Sequence, residues 1–243
     1  MLRPTLWLSS LVCLAACASR PPLPEGSGPG VVAFDPAPPE GARTWNAPTW
    51  AVGDRFVLLR GGGQRIEFSV AAIDERGYVL TGADGVRMRR GLDLSNLGEW
   101  PADGSEEGLH VLSPADTRFH WPLWVGKRWR CRYADRTAGG PSLPIETAYE
   151  VEDLDTISTP AGTFPALRIL RTSRLQVEGA SFLDRVSMIW YSPDLGVEIR
   201  QTHGETAVEL LEWTRGGVSG GQPPAAATEP KTEPKTEPNT EAK

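Results

Sequence analysis

The chain has 243 residues, with 25 Lys and Arg against 31 Asp and Glu for a formal net charge of −6, and 40% of its residues are hydrophobic. The two signs are interspersed and no basic cluster with interleaved aromatics occurs, which excludes the usual footprint of a nucleic-acid binder. The cysteines are Cys13, Cys17 and Cys131, so only Cys131 lies beyond the N-terminal stretch and no disulfide framework can staple a core.

At the N-terminus, Arg3 supplies a positive charge and Leu6 to Leu14 form an apolar run. That run is too short to span a bilayer, which takes about 20 residues. Small residues then lead into Leu14-Ala15-Ala16-Cys17. This order resembles the lipobox of bacterial lipoproteins. The resemblance implies that residues 1–16 are a signal peptide and that Cys17 becomes the lipid-modified first residue. An ordinary secretory signal cleaved after Ala16 or Ala18, with Cys17 incidental, is the other reading. Ala18 rather than Asp follows the cysteine, which under the usual lipoprotein sorting of a diderm bacterium implies an outer-membrane protein facing the periplasm. A secreted or surface-exposed protein is the alternative. On the lipoprotein reading the first partner is a membrane, held through acyl chains whose burial contributes about 0.8 kcal/mol per methylene.

Residues 17–44 contain Arg20-Pro21-Pro22-Leu23-Pro24 and Pro36-Ala37-Pro38-Pro39 without periodicity, and read as a partly polyproline-II tether. Residues 45–215 alternate short strand patterns with turns. Val57–Arg60, Arg65–Val70, Tyr78–Thr81, Thr147–Val151, Leu167–Leu170 and Val186–Tyr191 are separated by turns such as Glu75-Arg76-Gly77, Pro160-Ala161-Gly162 and Pro193-Asp194-Leu195-Gly196. This spacing predicts one antiparallel all-β domain, a curved sheet, open barrel or sandwich. A weak helical pattern falls around Gly91–Leu97. Residues 216–243 end in repeats of Thr-Glu-Pro-Lys. Proline every fourth residue there forbids a regular helix and predicts an extended solvated tail.

A faint internal repeat divides the domain into candidate halves, 45–118 and 119–215. Trp50-Ala51-Val52-Gly53-Asp54-Arg55-Phe56 is similar to Leu123-Trp124-Val125-Gly126-Lys127-Arg128-Trp129, and Phe68–Asp74 to Tyr149–Asp155. The alternative is that short β segments look alike. The segments Phe119–Trp129, Thr159–Ala166 and Trp190–Val197 also occur in an order that resembles uncharacterised exported β-rich proteins and lipoproteins of bacteria. That resemblance covers about residues 119–202 and implies fold and location, with no reaction attached.

Few residues invite chemistry. His110, His120 and His203 show no metal-ligand spacing. Gly217-Val218-Ser219-Gly220-Gly221 matches Gly-x-Ser-x-Gly, but it lacks the strand-to-helix context of a nucleophile elbow and reads as linker. Glu150, Glu152, Asp153 and Asp155 alternate as the solvated face of a strand. Trp129, Cys131 and Tyr133 share one strand face opposite arginines, which favours a buried structural thiol. Trp121 and Trp124, near a proline-containing lead-in and beside His120, are expected to be partly exposed and form the candidate surface for a ligand or partner. The expectation is a lipid-anchored envelope protein with a binding or structural role, no catalytic residues, no metal and no cofactor. Its partner would be an envelope protein, a glycan or a lipid. A carrier of an apolar ligand in a β cavity and an envelope-polymer hydrolase are the rivals.

Overall fold

Residues that alternate in the sequence alternate between the two faces of the sheet. In β8 (Arg128–Thr137), Trp129, Cys131 and Tyr133 are buried, and they face Tyr149, Thr147 and Ile145 of β9 (Ser142–Thr159) in antiparallel register. Arg130 and Arg132 take the opposite face, where both pair with Glu146. Trp129, Tyr133 and Tyr149 dominate the inward set, each contributing on the order of 1.5–3 kcal/mol by burial, and a slip of one residue would turn the set away from the core.

The computed structural model describes residues 30–33, 37–103, 105, 107–177 and 185–221. The expected signal peptide, Cys17, most of the tether and the Thr-Glu-Pro-Lys repeats lie outside the described residues. The remaining strands are β1 (Gly30–Ala33), β2 (Arg55–Arg60), β3 (Gln64–Asp74), β4 (Gly77–Gly82), β5 (Arg87–Arg90), β6 (Asn96–Trp100) and β7 (His110–Asp116). After β9 come β10 (Gly162–Leu175), β11 (Arg185–Ser192), β12 (Val197–His203), β13 (Thr206–Arg215) and β14 (Val218–Gly221).

Strands β2 to β13 form an antiparallel ring in the order β8-β7-β6-β5-β4-β3-β2-β13-β12-β11-β10-β9, and the β8–β9 pairing closes it. The expected all-β antiparallel sheet is thus a closed barrel of twelve strands, which leaves the ring itself no free edge. Outside the ring, β1 pairs with Trp129–Arg132 of β8, and β14 pairs with Glu212–Arg215 of β13. Three readings are corrected here. Gly30–Ala33, expected in the tether, adds a strand to β8. Val218–Gly221, expected in the tail, closes a hairpin in which Ser219 Oγ lies 3.0 Å from Thr214 Oγ1. The helical pattern around Gly91–Leu97 is a turn leading into β6: Leu94 N donates to Gly91 O, Ser95 N donates to Asp93 Oδ1, and Leu94 has φ 65°.

The repeated lead-ins have one geometry. Gly53 and Gly126, with φ of 91° and 94°, donate to Val70 O and Val151 O respectively. Asp54 N and Lys127 N donate to Ala51 O and Trp124 O, while Val70 N and Val151 N donate back to Asp54 O and Lys127 O. Phe56 then lies opposite Phe68, as Trp129 lies opposite Tyr149. Positive φ at both glycines is what turns the chain into the strand, a conformation that a Cβ disfavours.

Candidate functional site

Inside the ring, on the side of β2–β5, β12 and β13, the side chains leave a cavity of about 230 Å³. Its walls are mainly apolar. Leu58 of β2, Ile66 and Phe68 of β3, Leu80 of β4, Met88 of β5 and Val208 of β13 line it, with Trp50, Leu94, Phe119 and Tyr191 at its margins. Arg60 is the only exposed lining residue. It ends β2 where Gly61 N donates to Ala207 O, so this hairpin end forms the mouth.

One part of the wall is charged. Met88 and Arg90 share the inward face of β5, while Arg87 and Arg89 take the outer face, Arg89 pairing there with Asp74 at 2.9 Å. The close approach of β4 to β5 depends on Gly77, whose hypothetical Cβ would stand 2.1 Å from Arg90 O. A bulge opposite Trp190/Tyr191 turns Glu198 of β12 inward beside Tyr191. Glu198 accepts two hydrogen bonds from Arg118 Nη1, at 2.7 and 2.8 Å. The backbone of Arg90 pairs with Tyr78 and Asn96, but no side-chain hydrogen bond joins Arg90 to a described residue, and its Nη1 is sealed from solvent without a partner. Burial, reinforced by the Arg118 charge, lowers the pKa of Arg90 to about 10, which still leaves it cationic at neutral pH. Burial also opposes the charge of Arg118, but Glu198 and Asp116 outweigh it and hold that pKa above the ordinary arginine value.

The β7–β11 side of the interior carries a connected polar network, beside a second cavity of about 180 Å³ bordered by Tyr133, Arg171 and Ser173. Asp116, 2% exposed, accepts a 2.5 Å hydrogen bond from Tyr149 Oη and a 3.1 Å bond from Arg171 Nη2. Arg171 also donates from Nε to Tyr149 Oη and from Nη2 to Tyr133 Oη. Tyr133, Thr147 and Ser173 continue the chain of hydroxyls. Burial raises the phenol of Tyr149 well above its usual value and that of Tyr133 to about 12, so both remain neutral donors. Cys131 is 1% exposed and its Sγ lies 3.6 Å from Asp116 Oδ1. Burial and that carboxylate push its thiol pKa up, opposite to what a nucleophile requires.

The residues singled out from the sequence take several places. Trp121 is partly buried, stacks on Phe119 at 5.5 Å and donates from Nε1 to Asp93 O at 2.7 Å. Trp124 is only 2% exposed, which corrects the expectation of an accessible indole. Lys127 Nζ sits 4.3 Å from its ring centroid and donates to the carbonyls of His120 and Pro122. Trp121, Trp124 and His120 therefore lie along one lead-in, with Trp124 buried and Trp121 and His120 half-buried. His120 is half-buried, with Nδ1 unpartnered and a pKa lowered by burial and by Lys127. His110 pairs with Asp135 at 2.7 Å between β7 and β8, and His203 is exposed at the end of β12. Glu152, Asp153 and Asp155 surround Arg168 in an ion-pair cluster outside the barrel, with Asp155 also accepting from Trp190 Nε1. Among the described residues, no group of three or more His, Cys, Asp or Glu side chains could hold a metal ion.

The sequence reading missed Arg90, Arg118 and Glu198. In Arg87-Met88-Arg89-Arg90 the alternation of Met88 with Arg87 and Arg89 is a two-residue signal, too short to separate an inward arginine from solvated ones.

No family model matches the chain, and no curated protein matches it. Among solved structures, the hypothetical lipoprotein YmcC of Escherichia coli is similar with 12% identity and a TM-score of 0.45, over 69% of this chain and 89% of that one. A provisionally described lipoprotein of Parabacteroides distasonis is similar with 10% identity and a TM-score of 0.43, over 71% of this chain and 100% of that one.

Proposed function

We propose that the protein is a lipid-anchored component of the bacterial cell envelope whose barrel binds a small apolar molecule in its interior without acting on it chemically. The observation that carries the binding role is the cavity at the Leu58, Phe68 and Met88 walls. Its volume of about 230 Å³ exceeds the ~150 Å³ apolar void that accommodates benzene. A closed barrel with a mouth at one hairpin end suits retention of such a ligand. The order of Arg3, the apolar run Leu6–Leu14 and Leu14-Ala15-Ala16-Cys17 supports the anchor. The hydrolase rival loses support because Cys131 is buried with a raised pKa, and no hydrogen bond connects it to His110, His120 or His203.

The anchor and the cavity are tested separately. Cys17→Ala is expected to shift the protein from the membrane to the soluble fraction and to abolish lipid labelling; unchanged fractionation contradicts the anchor. Native mass spectrometry of protein isolated from cells is expected to show a retained apolar small molecule. A ligand-free mass for freshly isolated protein contradicts the carrier reading.

A further inference from the structure

We infer that the cavity is built for a single-chain amphiphile with a carboxylate head, the chain lying against Leu58, Phe68 and Met88 and the carboxylate meeting the guanidinium of Arg90. The inference rests on the cavity being a binding site and adds the chemistry of its ligand.

The charge inventory of the interior leads to it. Four cations face the interior: Arg60 is exposed to solvent at the mouth, while Arg90, Arg118 and Arg171 lie deeper, and the carboxylates paired with the deeper ones are Asp116 and Glu198. Asp116 is engaged by Arg171 and Tyr149, and Glu198 by both short bonds from Arg118. With Arg60 solvated at the mouth, the three deeper cations face two carboxylates, and the one left without a carboxylate of its own is Arg90, whose Nη1 is sealed from solvent without a partner. A buried, unpaired charge is unfavourable unless something pairs with it. The missing partner is one acceptor group with one negative charge. A planar carboxylate matches the fork of an arginine and supplies a single charge, whereas a phosphate monoester near neutral pH brings more than one. Apolar walls on one side and the unpaired Arg90 away from the mouth on the other complement the two halves of a fatty-acid-like molecule.

The test is a calorimetric comparison of decanoate, decanol and decyl phosphate binding to the purified full chain. Decanoate is expected to bind about tenfold or more tighter than decanol, as for a hydrogen bond to a charged group, and tighter than decyl phosphate. In Arg90→Gln, decanoate affinity should fall to the level of decanol while decanol affinity stays the same. Because the Arg90 side chain makes no hydrogen bond to a described residue and its Nη1 is left without a partner, this variant is expected to melt no lower than the parent, and Arg90→Lys should keep part of the preference for decanoate. Equal binding of decanoate and decanol, tighter binding of decyl phosphate, or an unchanged decanoate affinity in Arg90→Gln overturns the head-group assignment and leaves the apolar cavity standing. Binding of neither decanoate nor decanol overturns both.

Discussion

Phe56 against Phe68 and Trp129 against Tyr149 stand at equivalent places after equivalent glycine lead-ins, with ring centroids 5.5 and 5.1 Å apart. What lies beyond each pair differs. Past Phe68, the interior opens into the cavity of Leu58, Ile66 and Met88. Past Tyr149, the phenol reaches Asp116, and Arg171, Tyr133, Thr147 and Ser173 are joined to it by hydrogen bonds. Even the buried residue after each lead-in glycine differs: Asp54 accepts from Ala51 N, Gly216 N and Arg215 Nε, whereas Lys127 donates to two carbonyls. One turn geometry therefore supports two interiors, a polar side cross-linked by hydrogen bonds around a cavity of about 180 Å³ and an apolar side with a cavity of about 230 Å³.

The comparison can be broken by substitution. The largest effect is expected for Trp129→Ala, which removes a fully buried indole together with its bond to Thr117 O and its stacking on Tyr149. Urea unfolding should show a loss of about 3–5 kcal/mol. Asp116→Asn should cost about 3 kcal/mol by the same measurement, because it leaves Arg171 without its carboxylate. Adding Arg171→Met to Asp116→Asn should recover part of that loss; no recovery would mean that the network is not held by this ion pair.

Two smaller effects probe the open side. Leu58 and Leu210 face each other across β2 and β13, but Leu58 borders the cavity and Leu210 is fully buried. Leu210→Ala is expected to cost about 3 kcal/mol and Leu58→Ala about 1 kcal/mol, since fewer packing contacts are lost beside an existing void. Equal losses would show that the cavity is closed in solution. The smallest effect concerns His120, whose pKa is lowered by burial and by Lys127. A depressed folded pKa means that the unfolded chain binds the proton more readily. The stabilising contribution is thus complete above the ordinary imidazole value of about 6.5 and is lost as pH falls toward the lowered value. His120→Gln should flatten that part of the stability–pH curve, and an unchanged slope would assign it to other groups.

Much of the frame was legible because it depends on local chemistry. The Trp129/Cys131/Tyr133 alternation and the glycine lead-ins at Gly53 and Gly126 state their geometry within a few residues. The β5–β6 region was illegible for the same reason. Arg87-Met88-Arg89-Arg90 and Asn96-Leu97-Gly98-Glu99-Trp100 lack β-branched residues, and their strand form is imposed by neighbours on either side. The cavity is further still from the sequence. Its lining comes from residues as distant as Trp50 and Val208, brought together by ring closure and by the bulge that turns Glu198 inward. Trp121, Trp124 and His120 drew attention as an aromatic cluster, yet Lys127 spends that cluster on holding the lead-in.

The central claim, that the apolar side of the barrel receives a guest, is tested most directly by blocking it. Leu58→Trp places an indole in the space beside Phe68 and Met88. In a calorimetric titration with decanol, the parent protein is expected to bind and Leu58→Trp, melting near the parent temperature, to bind at least about tenfold more weakly. Unchanged affinity in Leu58→Trp, or no binding by the parent, would contradict the account.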